Sequence, residues 1–241
     1  MKICLLGDIH SNLEALRRAM EEIKQKGVDK VYFLGDLVGY GADPRECIRI
    51  AKENFDIVIA GNHDLAASGV QDYANFNPQA AAAVIWTYNK LDPGEKEYLS
   101  SLPLVYEENG FTLVHASLPK PEEWRYLFSG EEAASTFKHA NAKIVFVGHS
   151  HIPMVLEVGD EIVKKEITFA MKLNKESGYI INVGSVGQPR DEDSRICMVF
   201  YDTETMLLEF RRCEYNFKAA QDKIIDAGLP EVLALRLGFG K

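Results

Sequence analysis

Four apolar runs in this sequence end alike, each with a glycine and then a side chain able to bind a metal ion: ICLLGDIH at 3–10, VYFLGD at 31–36, DIVIAGNHD at 56–64 and KIVFVGHSH at 143–151. A fifth run, FTLVHA at 111–116, delivers His115 without the glycine. Short apolar segments closed by turn residues read as strands. In an open α/β sheet the carboxyl ends of the strands line the ligand crevice, so residues far apart in sequence are expected to meet at one rim. Residues i and i+2 of an extended segment face the same side. That pairs Asp8 with His10 and His149 with His151, the glycines permitting a sharp turn.

The segments between these runs read as helices. Ser11 and Glu14 have capping-box spacing, and Leu13, Leu16, Met20 and Ile23 recur at helical intervals up to Gly27. Asp43-Pro44-Arg45-Glu46 offers an N-cap, an N1 proline and an N3 glutamate for a second helix reaching about Glu53. With strands at 31–34 and 57–60, the N-terminal half alternates strand and helix as in a parallel sheet with right-handed crossovers. Asn77-Pro78 and Asp92-Pro93-Gly94-Glu95 start further helices. Strand-like runs follow at 104–106, 111–114, 144–147, 154–158, 179–183 and 196–201. A length of 241 residues permits one large domain or two small ones, and no Pro/Ser-rich linker or internal repeat divides the chain. One domain over 1–241 is expected. The helical stretch at 70–100, with Trp86 and Tyr88, could cap the site, but aromatic and small residues at helical spacing more often form core.

The strand ends supply Asp8, His10, Asp36, Asn62, His115, His149 and His151, a mixture of carboxylate, imidazole and amide. Such a mixture suits borderline transition metals better than calcium or an all-oxygen magnesium site. Seven ligands exceed the needs of one ion. Two ions roughly 3.5–4 Å apart, bridged by one carboxylate, would use them all and form the clamp suited to in-line displacement at phosphorus. A single Gly-Asp or His at a strand end usually marks a turn, but five ordered blocks holding five of the six histidines make a different case. His139 lies outside every block and reads as an exposed helix-end residue. Gly39-Tyr40-Gly41 either shapes a pocket beside Asp36 or simply turns the chain ahead of Asp43.

Charge and hydropathy remove other classes. The formal charge of -9 opposes an electrostatic footprint for duplex nucleic acid, so no stable nucleic-acid complex is expected. No apolar run approaches the roughly 18 residues of a membrane helix. The N-terminus reaches Asp8 after too short an apolar stretch for a secretory signal, which points to the cytoplasm. Cys4, Cys47, Cys197 and Cys213 are scattered without a Cys-x-x-Cys pair and read as reduced, mostly buried thiols.

Taken together, the blocks resemble the calcineurin-like metallophosphoesterases, whose pattern is GDxH, GD, GNH(D/E), a separate His and GHxH, and the likeness is to small bacterial and archaeal members. It spans Gly7 to His151 and extends loosely to the Asn-Val-Gly-Ser-Val-Gly-Gln-Pro-Arg stretch at 182–190. The resemblance implies a four-layer α/β/β/α sandwich with a mixed two-sheet core. It also implies two divalent ions (Mn, Fe, Ni or Zn), one held by Asp8, His10, Asp36 and His151 and the other by Asp36, Asn62, His115 and His149, with Asp36 as the bridge. His63 would serve as general acid and phosphate contact, with Asp64 as an orienting neighbour.

Ser/Thr protein phosphatases of this superfamily typically carry Asp-Arg where this chain has Gly39-Tyr40, which counts against a eukaryotic-type protein phosphatase though not against a looser bacterial activity on phosphoproteins. Arg190 or Arg45 is then the candidate for a substrate-gripping cation, with Tyr40 beside it. The expected function is hydrolysis of phosphomonoesters or phosphodiesters of small molecules or nucleotides by a metal-bridging hydroxide. A dinucleoside polyphosphatase and a bacterial protein phosphatase are the enzymatic alternatives, and a metal-binding interaction scaffold is the non-enzymatic one. The oligomeric state is left open.

Overall fold

The computed structural model describes residues 1–108, 110–127 and 130–241. Its elements, in chain order, begin with β1 (Lys2–Leu6), α1 (Leu13–Lys26), β2 (Lys30–Phe33), α2 (Pro44–Asn54), β3 (Ile57–Val58) and α3 (Asn62–Ser68). Then come α4 (Pro78–Lys90), α5 (Pro93–Ser100), β4 (Val105–Glu108), β5 (Phe111–Val114), α6 (Gly130–His139), β6 (Ile144–Val147) and β7 (Met154–Val158). The remainder comprises β8 (Ile162–Lys165), β9 (Ala170–Lys172), β10 (Gly178–Asn182), β11 (Ile196–Asp202), β12 (Leu207–Cys213), α7 (Phe217–Asp226) and α8 (Glu231–Leu235).

The strands form two six-stranded mixed sheets, ordered β3-β2-β1-β11-β12-β9 and β4-β5-β6-β10-β7-β8. The pairs β1/β2 and β2/β3 are parallel in the first, as are β5/β6 and β6/β10 in the second. Alternation along single strands shows how the layers stack. Ile3 and Leu5 of β1 join Phe111, Leu113, Phe146 and Ile181 in one cluster between the sheets. Cys4 and Leu6 face the other way, into a cluster with Leu16, Ala19 and Ile48 of α1 and α2. On the far side Val114, Val145, Val147 and Ile180 meet Ala133 of α6. The order is therefore helices, sheet, sheet, helix, the four-layer α/β/β/α arrangement. Strands covered on both faces read as continuous apolar runs rather than alternating ones, which is why the strand signals stood out.

Several local expectations need correction. The cap of α1 is Asn12, whose Oδ1 accepts from Ala15 N at 3.1 Å and whose Nδ2 donates to Gly187 O at 2.8 Å. Ser11 instead sits at φ 55° with a buried Oγ that has no partner among the described residues. Asp43 occupies the cap position of α2 without a capping bond, because its carboxylate accepts from Lys223 Nζ at 2.7 Å. The caps at Asn77 and Asp92 form as expected. β3 ends at Val58, although Ile59 N still donates to Phe33 O at 3.0 Å. α3 begins inside the GNHD block and, at seven residues, is too short to show a period.

The helical stretch 70–100 divides by role. Ala80, Ala83 and, at its edge, Trp86 pack with Tyr40, Ala220 and Leu233 in a fourth cluster, and Trp86 Nε1 donates to Ala227 O at 3.1 Å. Tyr88 is exposed beneath Lys96. All four cysteines are free and buried. No helix among the described residues is long and apolar enough to cross a membrane.

The cap assignment is testable by urea denaturation. Asn12→Ala removes a cap and a buried donor and is expected to cost about 2 kcal/mol. Ser11→Ala removes only an unpartnered hydroxyl and should stay within about 0.5 kcal/mol of the parent. The reverse order would contradict the assignment.

Candidate metal centre

The loop leaving β1 and the loop leaving β2 run side by side, with Asp8 N donating to Gly35 O at 3.0 Å and His10 N to Asp36 O at 2.9 Å. Asp8, His10, Asp36, His149 and His151 all adopt left-handed backbone, with φ of 55°, 50°, 59°, 65° and 61°. The expected pairing of i with i+2 along an extended strand is therefore replaced by left-handed turns, which bring the same side chains inward. Each such non-glycine residue costs on the order of 1–2 kcal/mol, and strain of this kind is sustained where the surroundings over-determine it. The glycines serve close approach more than turning. A Cβ on Gly61 would lie 2.1 Å from Asp36 Oδ1, and one on Gly148 would lie 2.8 Å from Asp8 Oδ2.

Two groups of buried ligand atoms result, Asp8/His10/Asp36/His151 and Asp36/His115/His149, with the atoms of each within 4.8 Å of one another. His10 Nε2 lies 3.1 Å from His151 Nε2 and 3.5 Å from Asp36 Oδ2, while His151 Nε2 is 3.3 Å from Asp8 Oδ1. On the other side His115 Nε2 is 3.3 Å from the same Asp36 Oδ2 and 3.2 Å from His149 Nδ1. Metal bonds of about 2.0–2.2 Å place neighbouring ligand atoms roughly 3.0–3.5 Å apart, and these separations match that spacing. Asp36 Oδ1 is occupied by His63 N at 2.9 Å, which leaves Oδ2 as the atom common to both groups.

The imidazoles are oriented from behind. His10, His115 and His151 turn Nδ1 to the carbonyls of Val38, Leu34 and Gln188 at 3.2, 2.6 and 2.6 Å, which fixes the proton on Nδ1 and leaves Nε2 free to ligate. Asn62 Oδ1 is buried without a hydrogen-bond partner among the described residues. An orphaned amide oxygen beside buried carboxylates and imidazoles fits a divalent cation.

Burial works against charge throughout this cage. It lowers His149 to about 3 with the help of His115, and lowers His63 to about 4 despite Asp36. Burial pushes the Asp8 carboxyl up, whereas Asp36, although buried, is held well below the usual carboxylate range by His115 and His63. His115 rises to about 9, because the Asp36 carboxylate outweighs burial.

The Asp64 carboxylate is bonded to backbone and not to the ring of His63. It accepts from the backbone N–H groups of Asp36, Val38 and Gly61 at 2.8, 3.1 and 3.0 Å, whereas His63 Nδ1 is buried with no partner among the described residues. Asp64 thus holds the loop that carries Asp36 rather than the ring of His63. The stretch 182–190 braces the other loops: Asn182 Nδ2 donates to Gly148 O at 2.6 Å, and Ser185 Oγ donates to Asp8 O at 2.9 Å.

A cavity of about 230 Å³ opens onto these groups, lined by Asp36, Asn62, His63, His149 and His151 together with Tyr40 and Arg190. Arg190 Nη2 donates to Gln188 Oε1 at 3.2 Å and to Tyr40 Oη at 3.4 Å. Arg45 does not reach the cavity, being paired with Asp92 and Glu95 at 2.7 and 2.8 Å. Sequence reading missed the outer wall. Gln71, Phe76, Trp124 and Tyr126 also line the cavity, with Trp124 Nε1 donating to Gln71 Oε1 at 2.9 Å and Tyr126 stacked on His149 at 4.2 Å. None of the four stands next to a ligand block, so no sequence signal distinguished them.

The calcineurin-like phosphoesterase superfamily domain matches residues 1–206. The chain belongs to that superfamily. It is accordingly a phosphoesterase hydrolase, and its buried Asp/His cluster is a divalent-metal site. A crystal structure of a metallophosphoesterase from Sphaerobacter thermophilus is similar to the whole chain, with 35% identity, a TM-score of 0.87, and coverage of 100% of this chain and 99% of that one. An uncharacterized protein of Methanocaldococcus jannaschii is 38% identical over 99% of this chain and 98% of its own length. A symmetrical bis(5'-nucleosyl)-tetraphosphatase of Actinobacillus succinogenes is 28% identical over 49% of this chain and 45% of its own, so that likeness spans about half of each.

The role of Asp64 can be separated from that of a ligand. Asp64→Ala touches no cage atom yet strips the acceptor from three backbone N–H groups. It is expected to lower manganese affinity about 10- to 100-fold in a calorimetric titration. Unchanged affinity would contradict the bracing role.

Proposed function

We propose that this chain is a dinuclear phosphoesterase that hydrolyses phosphomonoesters or phosphodiesters of small molecules or nucleotides. The observation that carries the reading is Asp36 Oδ2, 3.5 Å from His10 Nε2 on one side and 3.3 Å from His115 Nε2 on the other. A single carboxylate oxygen shared between two ligand groups suits a bridge. Asp8, His10, Asp36 and His151 would hold one ion, and Asp36, Asn62, His115 and His149 the other, with Mn, Fe, Ni and Zn all suited to the donors. When bound, such a pair supplies Lewis acidity, which lowers the pKa of a water and neutralises charge on the phosphoryl oxygens.

His63 is the residue placed to act on the leaving group. It follows Asn62 on α3, lines the cavity and is only 3% exposed. Burial keeps its imidazole neutral in the free enzyme, and an anionic phosphoryl group beside it favours the protonated form, which can donate to the departing oxygen. Arg190 is placed to contact a phosphoryl oxygen from the wall, with Tyr40 beside it.

Small substrates suit a cavity of about 230 Å³ better than a folded phosphoprotein does. The tetraphosphatase relative supports a dinucleoside polyphosphate as the second reading. The scaffold reading is disfavoured by the buried candidate ligands standing beside a His63 whose Nδ1 has no hydrogen-bond partner among the described residues. Four unpaired thiols suit a reducing cytoplasm.

The test is turnover of 4-nitrophenyl phosphate and bis(4-nitrophenyl) phosphate by the manganese-loaded protein. Metal-stimulated hydrolysis is expected, and its absence across a wide phosphoester panel would favour the scaffold. His63→Ala should retain metal while kcat falls about 10²- to 10⁴-fold. Asp36→Asn should lose metal as well, read by elemental analysis. Parental rates in either variant would refute these roles.

A further inference from the structure

Arg236 follows α8 and lies outside the residues matched by the family domain. Its guanidinium carbon is 4.3 Å from the centre of the Tyr40 ring, and its Nε and Nη2 are buried without a hydrogen-bond acceptor among the described residues. A buried guanidinium is ordinarily paired with a carboxylate or another anion. Arg236 forms no ion pair among the described residues, and neither does Arg190, which donates to the neutral Gln188 Oε1 and Tyr40 Oη and also bonds the neutral Tyr126 side chain. Burial lowers Arg236 only to about 10, so it stays a cation at neutral pH.

Tyr40 joins them to the reaction centre. It is 5% exposed at φ 53°, a strained conformation for a bulky residue, and its ring lies 4.4 Å from that of His63 and 4.5 Å from that of His10. The arginines therefore stand on the His63 side of the cage, where the leaving group departs. Neither arginine is ion-paired among the described residues, although Arg190 acts through space on the buried Asp8 and the cavity wall also carries Asp72 and Glu123.

We propose that Arg190 and Tyr40, with Arg236 behind them, form a second anion subsite, and that the preferred substrates carry a further phosphoryl group on the leaving side. This rests on the phosphoesterase reading and narrows it to phosphoanhydrides such as nucleoside diphosphates and polyphosphates. In the reaction, water oxygen bonds to one phosphorus and the P–O bond to the bridging oxygen breaks. The electron pair stays with the departing phosphoryl group, held by the arginines, and the protons of the water end on the products or in solvent. Arg190 and Tyr40 line the cavity and would touch the anion. Arg236 is a positioning residue that fixes Tyr40 and adds its field.

The test titrates pyrophosphate and orthophosphate separately into the manganese-loaded full chain by calorimetry. It also compares kcat/KM for adenosine diphosphate with that for 4-nitrophenyl phosphate. Pyrophosphate should bind at least about tenfold more tightly than orthophosphate. Arg236→Gln should cut that preference, and the kcat/KM ratio, about tenfold, with Arg236→Lys recovering part of it. If Arg236→Gln does not fold, Arg190→Gln reads the same ratio from the cavity wall. An equal fall for both anions, as a purely structural role demands, or no preference in the parent, overturns the proposal. Failure of the phosphoesterase reading looks different, as no turnover of any ester by the parent, and the binding preference still decides the subsite in that case.

Discussion

Asp36 concentrates the electrostatic problem that the surrounding structure has to solve. Its carboxylate is 1% exposed and close to a second buried carboxylate, Asp8, at the ends of neighbouring strands. Two such groups cannot both stay ionised in a dry site without a compensating cation. In the protein alone Asp36 draws the His115 imidazole toward its protonated form, while burial pushes the Asp8 carboxyl toward its neutral one. Divalent ions would take over that compensation and release the protons, which couples loading of the site to deprotonation of its ligands.

Holding those groups together requires backbone that most residues avoid. Five candidate ligands occupy left-handed conformations, and the loops bearing them are tied to one another by backbone bonds and by the side chains of Asp64, Asn182 and Ser185. The two-sheet core makes this possible. β1, β2 and β3 deliver Asp8, His10, Asp36 and Asn62 from one sheet, while β5 and β6 deliver His115, His149 and His151 from the other. Closing the sheets over Leu5, Phe111, Phe146 and Ile181 brings the two halves of the cage together. The strain of the loops is thus supported by burial far from the chemistry.

What could be read beforehand follows the range of the signal. The ligand blocks are local words, a strand end plus a donor, and six of the seven named donors fall into the two buried clusters, while Asn62 lines the same cavity. The order of the layers came from resemblance more than from pattern, since β8, β9 and β12 gave no separate strand signal. Cap chemistry was misjudged by one residue because Ser11 and Asn12 are both good caps, and only the left-handed turn at Ser11 decides between them. Asp64 was placed beside His63 by adjacency in sequence, whereas α3 turns its carboxylate back to the β2 loop. Arg236 and Trp124 reach the site through tertiary packing, which no spacing rule encodes.

The number of ions that the cage accepts decides between a dinuclear and a mononuclear site. The most direct measurement is a titration of the chelator-treated protein with manganese, with elemental analysis of the isolated product and anomalous scattering from its crystals. The proposed dinuclear site predicts two equivalents per chain, with two peaks beside Asp36 at roughly 3.5–4 Å separation. One equivalent, none, or ions bound away from Asp36 would contradict it.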